Sequence, residues 1–78
     1  MWSEGVIASP TTGVKYKYWI KHYEEGSEYG INGGRVSKLT IRKIGEDRES
    51  YNYDRGLNTP PANEEVETVL KIILEKYK

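Results

Sequence analysis

Between Val14 and Tyr23 the side chains alternate, with Tyr16, Tyr18 and Ile20 set against Lys15, Lys17 and Lys21. A period of two in residues that favour a pleated surface predicts a β-strand with one buried and one wet face. Arg35 to Ile44 repeats the pattern, with Leu39 and Ile41 on one side and Lys38, Thr40 and Arg42 on the other. Two shorter runs, Ser3 to Ala8 and Glu49 to Asp54, complete a set of three to four strands, the last placing Tyr51 and Tyr53 on one side. Trp19 breaks the alternation: it falls on the lysine side, where a large ring needs a reason.

The connections differ in kind. Ser9-Pro10-Thr11-Thr12-Gly13 joins the first two strands, where proline presets a turn and glycine accepts a positive φ. Gly45-Glu46-Asp47-Arg48 reads as a hairpin turn. Glu24 to Gly34, with four glycines, is longer than a tight hairpin requires. Pro60-Pro61 ends the strand pattern, because proline donates nothing to a ladder and restricts the residue before it.

A helix follows. Asn63 suits its N-cap, and Glu64, Glu65 and Glu67 lie beside the positive end of its dipole, with Lys76 and Lys78 at the negative end. Val66, Val69, Leu70, Ile73, Leu74 and Tyr77 recur at spacings of three and four and form one apolar stripe. Ile72 falls outside that stripe and is expected sideways or in solvent.

These elements predict an α+β fold: a three- to four-stranded antiparallel meander with one C-terminal amphipathic helix packed on one face, residues 1–78 forming a single domain. Tyr16, Tyr18, Ile20, Leu39, Ile41, Tyr51 and Tyr53 are expected to line the covered face, several rings with their tips in water at the core edge. The opposite face then carries Lys17, Trp19, Lys21, Lys38, Thr40, Arg42, Ser50 and Asn52. A core of this size leaves roughly 3 to 5 kcal/mol of stability, so a homodimer is a reasonable supplement.

Composition narrows the function classes. A chain of 78 residues, 36% hydrophobic and 31% charged, is too apolar for disorder and too polar for a membrane. The basic N-terminal run of a signal peptide is missing, so a cytoplasmic location is expected. Twelve basic and twelve acidic residues cancel overall. Yet Lys15 to Lys43 holds seven basic and three acidic residues, whereas Gly45 to Glu67 holds seven acidic and two basic, so the molecule is polarised. The absence of cysteine removes disulfides, thiolate catalysis and sulfur-based zinc sites.

The wet sheet face is the sharpest candidate for a site. Lys17, Lys21, Lys38 and Arg42 around Trp19 suit a phosphate backbone with a stacked base, or a protein surface met by an aromatic anchor ringed with charge. The plainer alternative is that the lysines keep the sheet soluble while Trp2 or Val6 covers Trp19. Tyr29 and Arg35 extend the candidate set into the glycine loop, whose strand-bound exit argues against a P-loop. Trp19, Tyr23, Tyr29 and Ile72 are the apolar residues expected to be exposed. His22, the one histidine, reads as a surface residue. The glutamates near residue 65 read as dipole partners, and Asp54 with Arg55 as a pin for the turn before the prolines. No cofactor, metal site or catalytic residue is expected, because so small a domain seldom encloses a pocket of several hundred cubic ångströms.

The run Tyr29 to Leu39 (YGINGGRVSKL), with Trp2 and Gly5 upstream and Tyr53-Asp54-Arg55-Gly56 downstream, resembles a group of short uncharacterised bacterial proteins associated with prophages and mobile elements of Gram-positive bacteria. The resemblance spans most of the chain and implies a cytoplasmic, mobile-element-encoded protein with an accessory or host-interaction role. It carries no residue-level site. The expected function is therefore a non-enzymatic binding module for a protein partner or its own copy, the alternative being a nucleic-acid binder.

Overall fold

The structure is a computed structural model that describes residues 1–26, 30–31 and 34–77. Five strands, β1 (Trp2–Ala8), β2 (Lys15–His22), β3 (Val36–Lys43), β4 (Tyr51–Asp54) and β5 (Leu57–Thr59), precede the helix α1 (Glu64–Lys76). The strands form one antiparallel sheet in the order β1-β2-β3-β4-β5, so each strand pairs with its neighbour in the chain. The fold class is α+β as the pattern predicts, but with five strands in place of three or four.

The additional strand is β5, three residues long and directly ahead of Pro60. A segment so short has no alternation to detect, and the prolines mask it. Its pairing depends on the chain reversing at Arg55, which adopts φ 59°. That conformation is uncommon outside glycine, asparagine and aspartate. The Arg55 amide donates to the Ser37 carbonyl at 2.9 Å, fixing the reversal against β3. The Asp54 amide donates to the Gly56 carbonyl at 2.9 Å within the same turn, and the Asp54 carboxylate lies 3.5 Å from Lys38 Nζ across the β3–β4 pair.

The helix starts where its cap dictates. Asn63 has extended backbone, and its side-chain Oδ1 accepts from the Val66 amide at 3.0 Å. Just before it, the Ala62 amide donates to the Ser50 carbonyl at 3.0 Å, which ties the helix start to the sheet. Val66, Val69 and Ile73 pack onto Tyr16, Tyr18, Ile20, Leu39, Ile41 and Tyr51. Ile20, Leu39, Ile41 and Ile73 are fully buried, each contributing about 1.5–3 kcal/mol from removal of apolar surface from water.

The tyrosines depart from expectation. Tyr16, Tyr18 and Tyr51 are buried with the aliphatic residues rather than tipped into water. Two of their hydroxyls are satisfied inside the molecule: Tyr16 donates to Glu65 Oε2 at 2.5 Å, and Tyr18 is hydrogen-bonded to Tyr77. Tyr18 leans over its cross-strand partner Gly5, where a Cβ would meet the phenol oxygen at 2.7 Å. Gly5 therefore serves as a gap for a ring.

Candidate functional site

The pairing register decides which side chains share the face away from α1. One row across the sheet reads Trp2, Lys21, Lys38, Asp54, and the next reads Glu4, Trp19, Thr40, Asn52, Thr59. A third contains Val6, Lys17 and Arg42. Lys17, Trp19, Lys21, Lys38 and Arg42, nominated from the sequence, thus come together on the bare face of β2 and β3.

Trp19 is half-buried there, and no other element of the described residues lies across it. The N-terminal segment does not fold over it, because that segment is β1 and extends the sheet alongside β2. Lys17 Nζ lies 5.1 Å and Arg42 Cζ 5.0 Å from the Trp19 ring centroid. Lys21 Nζ lies 5.8 Å from the Trp2 ring and 5.7 Å from that of Tyr23. Cations attracted to the ring quadrupole, with aliphatic stems laid on the surface, explain how an indole is accommodated on a wet face.

Toward β5 the chemistry changes. Asn52 Nδ2 donates to Thr40 Oγ1 at 3.0 Å and to Glu49 Oε2 at 2.7 Å, and Asn58 Nδ2 donates to Asn52 Oδ1 at 2.9 Å. The bare face therefore has a cationic, aromatic half over β1 to β3 and a hydrogen-bonded half over β3 to β5 that carries the Glu49 and Asp54 carboxylates.

The other nominated residues lie elsewhere. Arg35 sits at the C-terminal end of α1, its Nε donating to the Tyr77 carbonyl at 3.2 Å, and lines a groove of about 300 Å³ with Ile31, Val36, Leu74 and Tyr77. Ile72 is half-buried on the helix, hence remote from the bare face, where helical periodicity had placed it sideways or in solvent. Tyr29, much of its glycine loop and Lys78 lie outside the described residues. Of the apolar residues expected to be exposed, Tyr23 is exposed while Trp19 is half-buried. The residues that sequence reasoning missed are Trp2, 58% exposed, and Val6, 55% exposed, both on the bare face of β1. Counting parity along β1 from Gly5, which must face Tyr18, identifies them.

Two polar clusters lie off this face. Thr12 Oγ1 and Tyr16 both donate to the Glu65 carboxylate, joining the β1–β2 turn to the helix start. Those hydrogen bonds, Thr12's foremost, hold Glu65 below the usual carboxylate range, while desolvation and then the Glu65 contact push Tyr16 up to about 12. Tyr16 and Glu65 also line a polar groove of about 520 Å³ with Lys43, Arg48 and Pro61, so the fold does form grooves of several hundred cubic ångströms. At the opposite end His22 is half-buried, with Nε2 3.1 Å from Ser3 Oγ and its ring centroid 4.7 Å from that of Tyr77. Desolvation, then the charges of the N-terminal amino group and Arg35, lower its pKa. This contact straps β1 and β2 to the residue that caps α1.

Among the described residues no group of three or more acids and histidines is placed to hold a metal ion, and no helix is long and apolar enough to cross a membrane. No curated protein and no solved structure matches the chain. The chain belongs to a family described as a domain of unknown function (DUF7678), whose model matches residues 1–78.

Proposed function

We propose that this member of a family of unknown function is a non-enzymatic interaction module that engages a protein partner, or its own copy, through the bare face of its sheet. The observation that carries the reading is the Trp19 ring with Lys17 and Arg42 within about 5 Å of its centroid, beside exposed Trp2 and Val6, on the face opposite the helix. Aromatic anchors within a charged surround are what small interfaces use. A cytoplasmic, mobile-element setting in Gram-positive bacteria belongs to the same proposal and is carried by the sequence resemblance alone.

Affinity capture from host extract, with identification of what is retained, tests this reading. Trp19→Ala is expected to abolish retention while leaving the circular dichroism spectrum unchanged. Retention of the same proteins by Trp19→Ala and wild type removes the reading.

A second reading rests on the same cations: Lys17, Lys21 and Arg42 track a phosphate backbone while Trp2 or Trp19 stacks on a base. It predicts quenching of tryptophan fluorescence by oligonucleotides that weakens steeply with salt. Charge removal at one of these residues then lowers the salt slope by about one. A flat titration at low salt eliminates it.

A further inference from the structure

The outer edge of β1 is where the bare face ends, and its chemistry is specific. Met1 exchanges backbone hydrogen bonds with His22, and the Ser9 amide donates to the Val14 carbonyl at 2.8 Å. Antiparallel pairing alternates, so Ser3, Gly5 and Ile7 bond inward to β2, and Trp2, Glu4, Val6 and Ala8 aim their amides and carbonyls away from the sheet. Those four residues also carry the side chains exposed on the bare face.

Edges of this kind are usually blunted by lysine, proline, a bulge or short length. β1 has none of these: it is seven residues long, pairs in unbroken register with β2, and bears one charge, Glu4. The opposite edge strand, β5, is blunted, being three residues long with a bulge beside it and prolines after it.

We propose that β1 pairs antiparallel with β1 of a second copy, making one continuous sheet across a twofold axis at Gly5. This deepens the reading above, because the residues joined are those of the bare face. The register follows from charge and overlap. Trp2 opposite Ala8 and Glu4 opposite Val6 uses all four outward-facing residues of each strand. A shift one way sets Glu4 against Glu4 of the second copy; a shift the other way leaves Trp2 unpaired and sets Val6 against Val6. Only the central register joins every outward group without opposing like charges, and it lays each Trp2 ring over an alanine. A twofold axis needs a self-complementary patch, which this strand supplies.

Sedimentation equilibrium over a wide concentration range tests the proposal, with circular dichroism to confirm folding of each variant. Wild type is expected to form a dimer. Val6→Pro, which removes an outward-facing amide and no bond to β2, is expected to be monomeric. Val6→Glu opposes Glu4 twice in the dimer and is expected to weaken it by about tenfold or more. Val6→Lys opposes Glu4 with a cation and is expected to keep the dimer. A monomeric wild type, a folded dimeric Val6→Pro, or equal dissociation by Val6→Lys and Val6→Glu overturns the proposal. Should Val6→Pro fail to fold, the charge pair alone decides. A monomeric wild type whose partner capture still depends on Trp19 removes the self-pairing and leaves the interaction reading standing.

Discussion

Gly5→Ala tests whether the β1–β2 pair is organised around a ring lying on a glycine. An alanine Cβ at this position would stand 2.7 Å from Tyr18 Oη, 2.9 Å from Cζ and 3.0 Å from Cε2, inside contact distance for all three. The ring has little freedom to yield, because Tyr18 is buried in the core and its hydroxyl is bonded to Tyr77. Overpacking of this kind costs about 1–3 kcal/mol, and replacing glycine in a strand returns about 0.5–1 kcal/mol of backbone entropy. The expected net loss is about 1–2 kcal/mol, or a fall in melting midpoint of roughly 5–15 °C for a domain of this size. Thermal melts followed by circular dichroism, repeated in a Tyr18→Leu background, complete a double-mutant cycle. Leucine ends short of the phenol atoms, so Gly5→Ala is expected to become neutral or slightly stabilising there, giving a coupling of about 1–3 kcal/mol. A rise in midpoint for Gly5→Ala in the wild-type background, or the same penalty in both backgrounds, refutes the reasoning.

Removing the helix cap by Asn63→Ala is expected to cost about 1 kcal/mol, read as a lower urea midpoint with unchanged m-value. Alkaline unfolding follows from Tyr16 and Tyr51, each pushed up to about 12, foremost by desolvation. The folded state holds protons that the unfolded chain releases near 10, so this stability is complete below pH 10 and lost as pH rises toward 12. Phenolate absorbance is expected to rise together with loss of the circular dichroism signal. At the acid end the sign reverses: the depressed Glu65 contributes stability above its ordinary value of 4.5 that is lost as pH falls below it. Glu65→Gln is expected to flatten the acid limb of a stability-against-pH curve, and an unchanged limb counts against the role given to that carboxylate.

What can be read from this chain alone follows from local periodicity. Alternation in Val14–Tyr23 and Arg35–Ile44 identifies two central strands and assigns their faces, since successive side chains of a strand must point in opposite directions. The spacing of Val66, Val69 and Ile73, with Asn63 before them, identifies a capped helix and its buried side. The placement of Lys17, Trp19, Lys21, Lys38 and Arg42 on one surface follows from the same parity. Other features depend on partners distant in sequence, which no local pattern encodes. β5 exists because Arg55 reverses the chain against Ser37 and brings three residues back onto β4. The buried tyrosines are tolerated because Glu65 and Tyr77 reach hydroxyls from a helix far along the chain. Arg35 and Ile72 leave the candidate surface because α1 occupies the opposite face of the sheet. Trp2 and Val6 join it because β1 lies beside β2 rather than across Trp19, so the indole is flanked by its own cations and an open strand edge is left at the margin of the sheet.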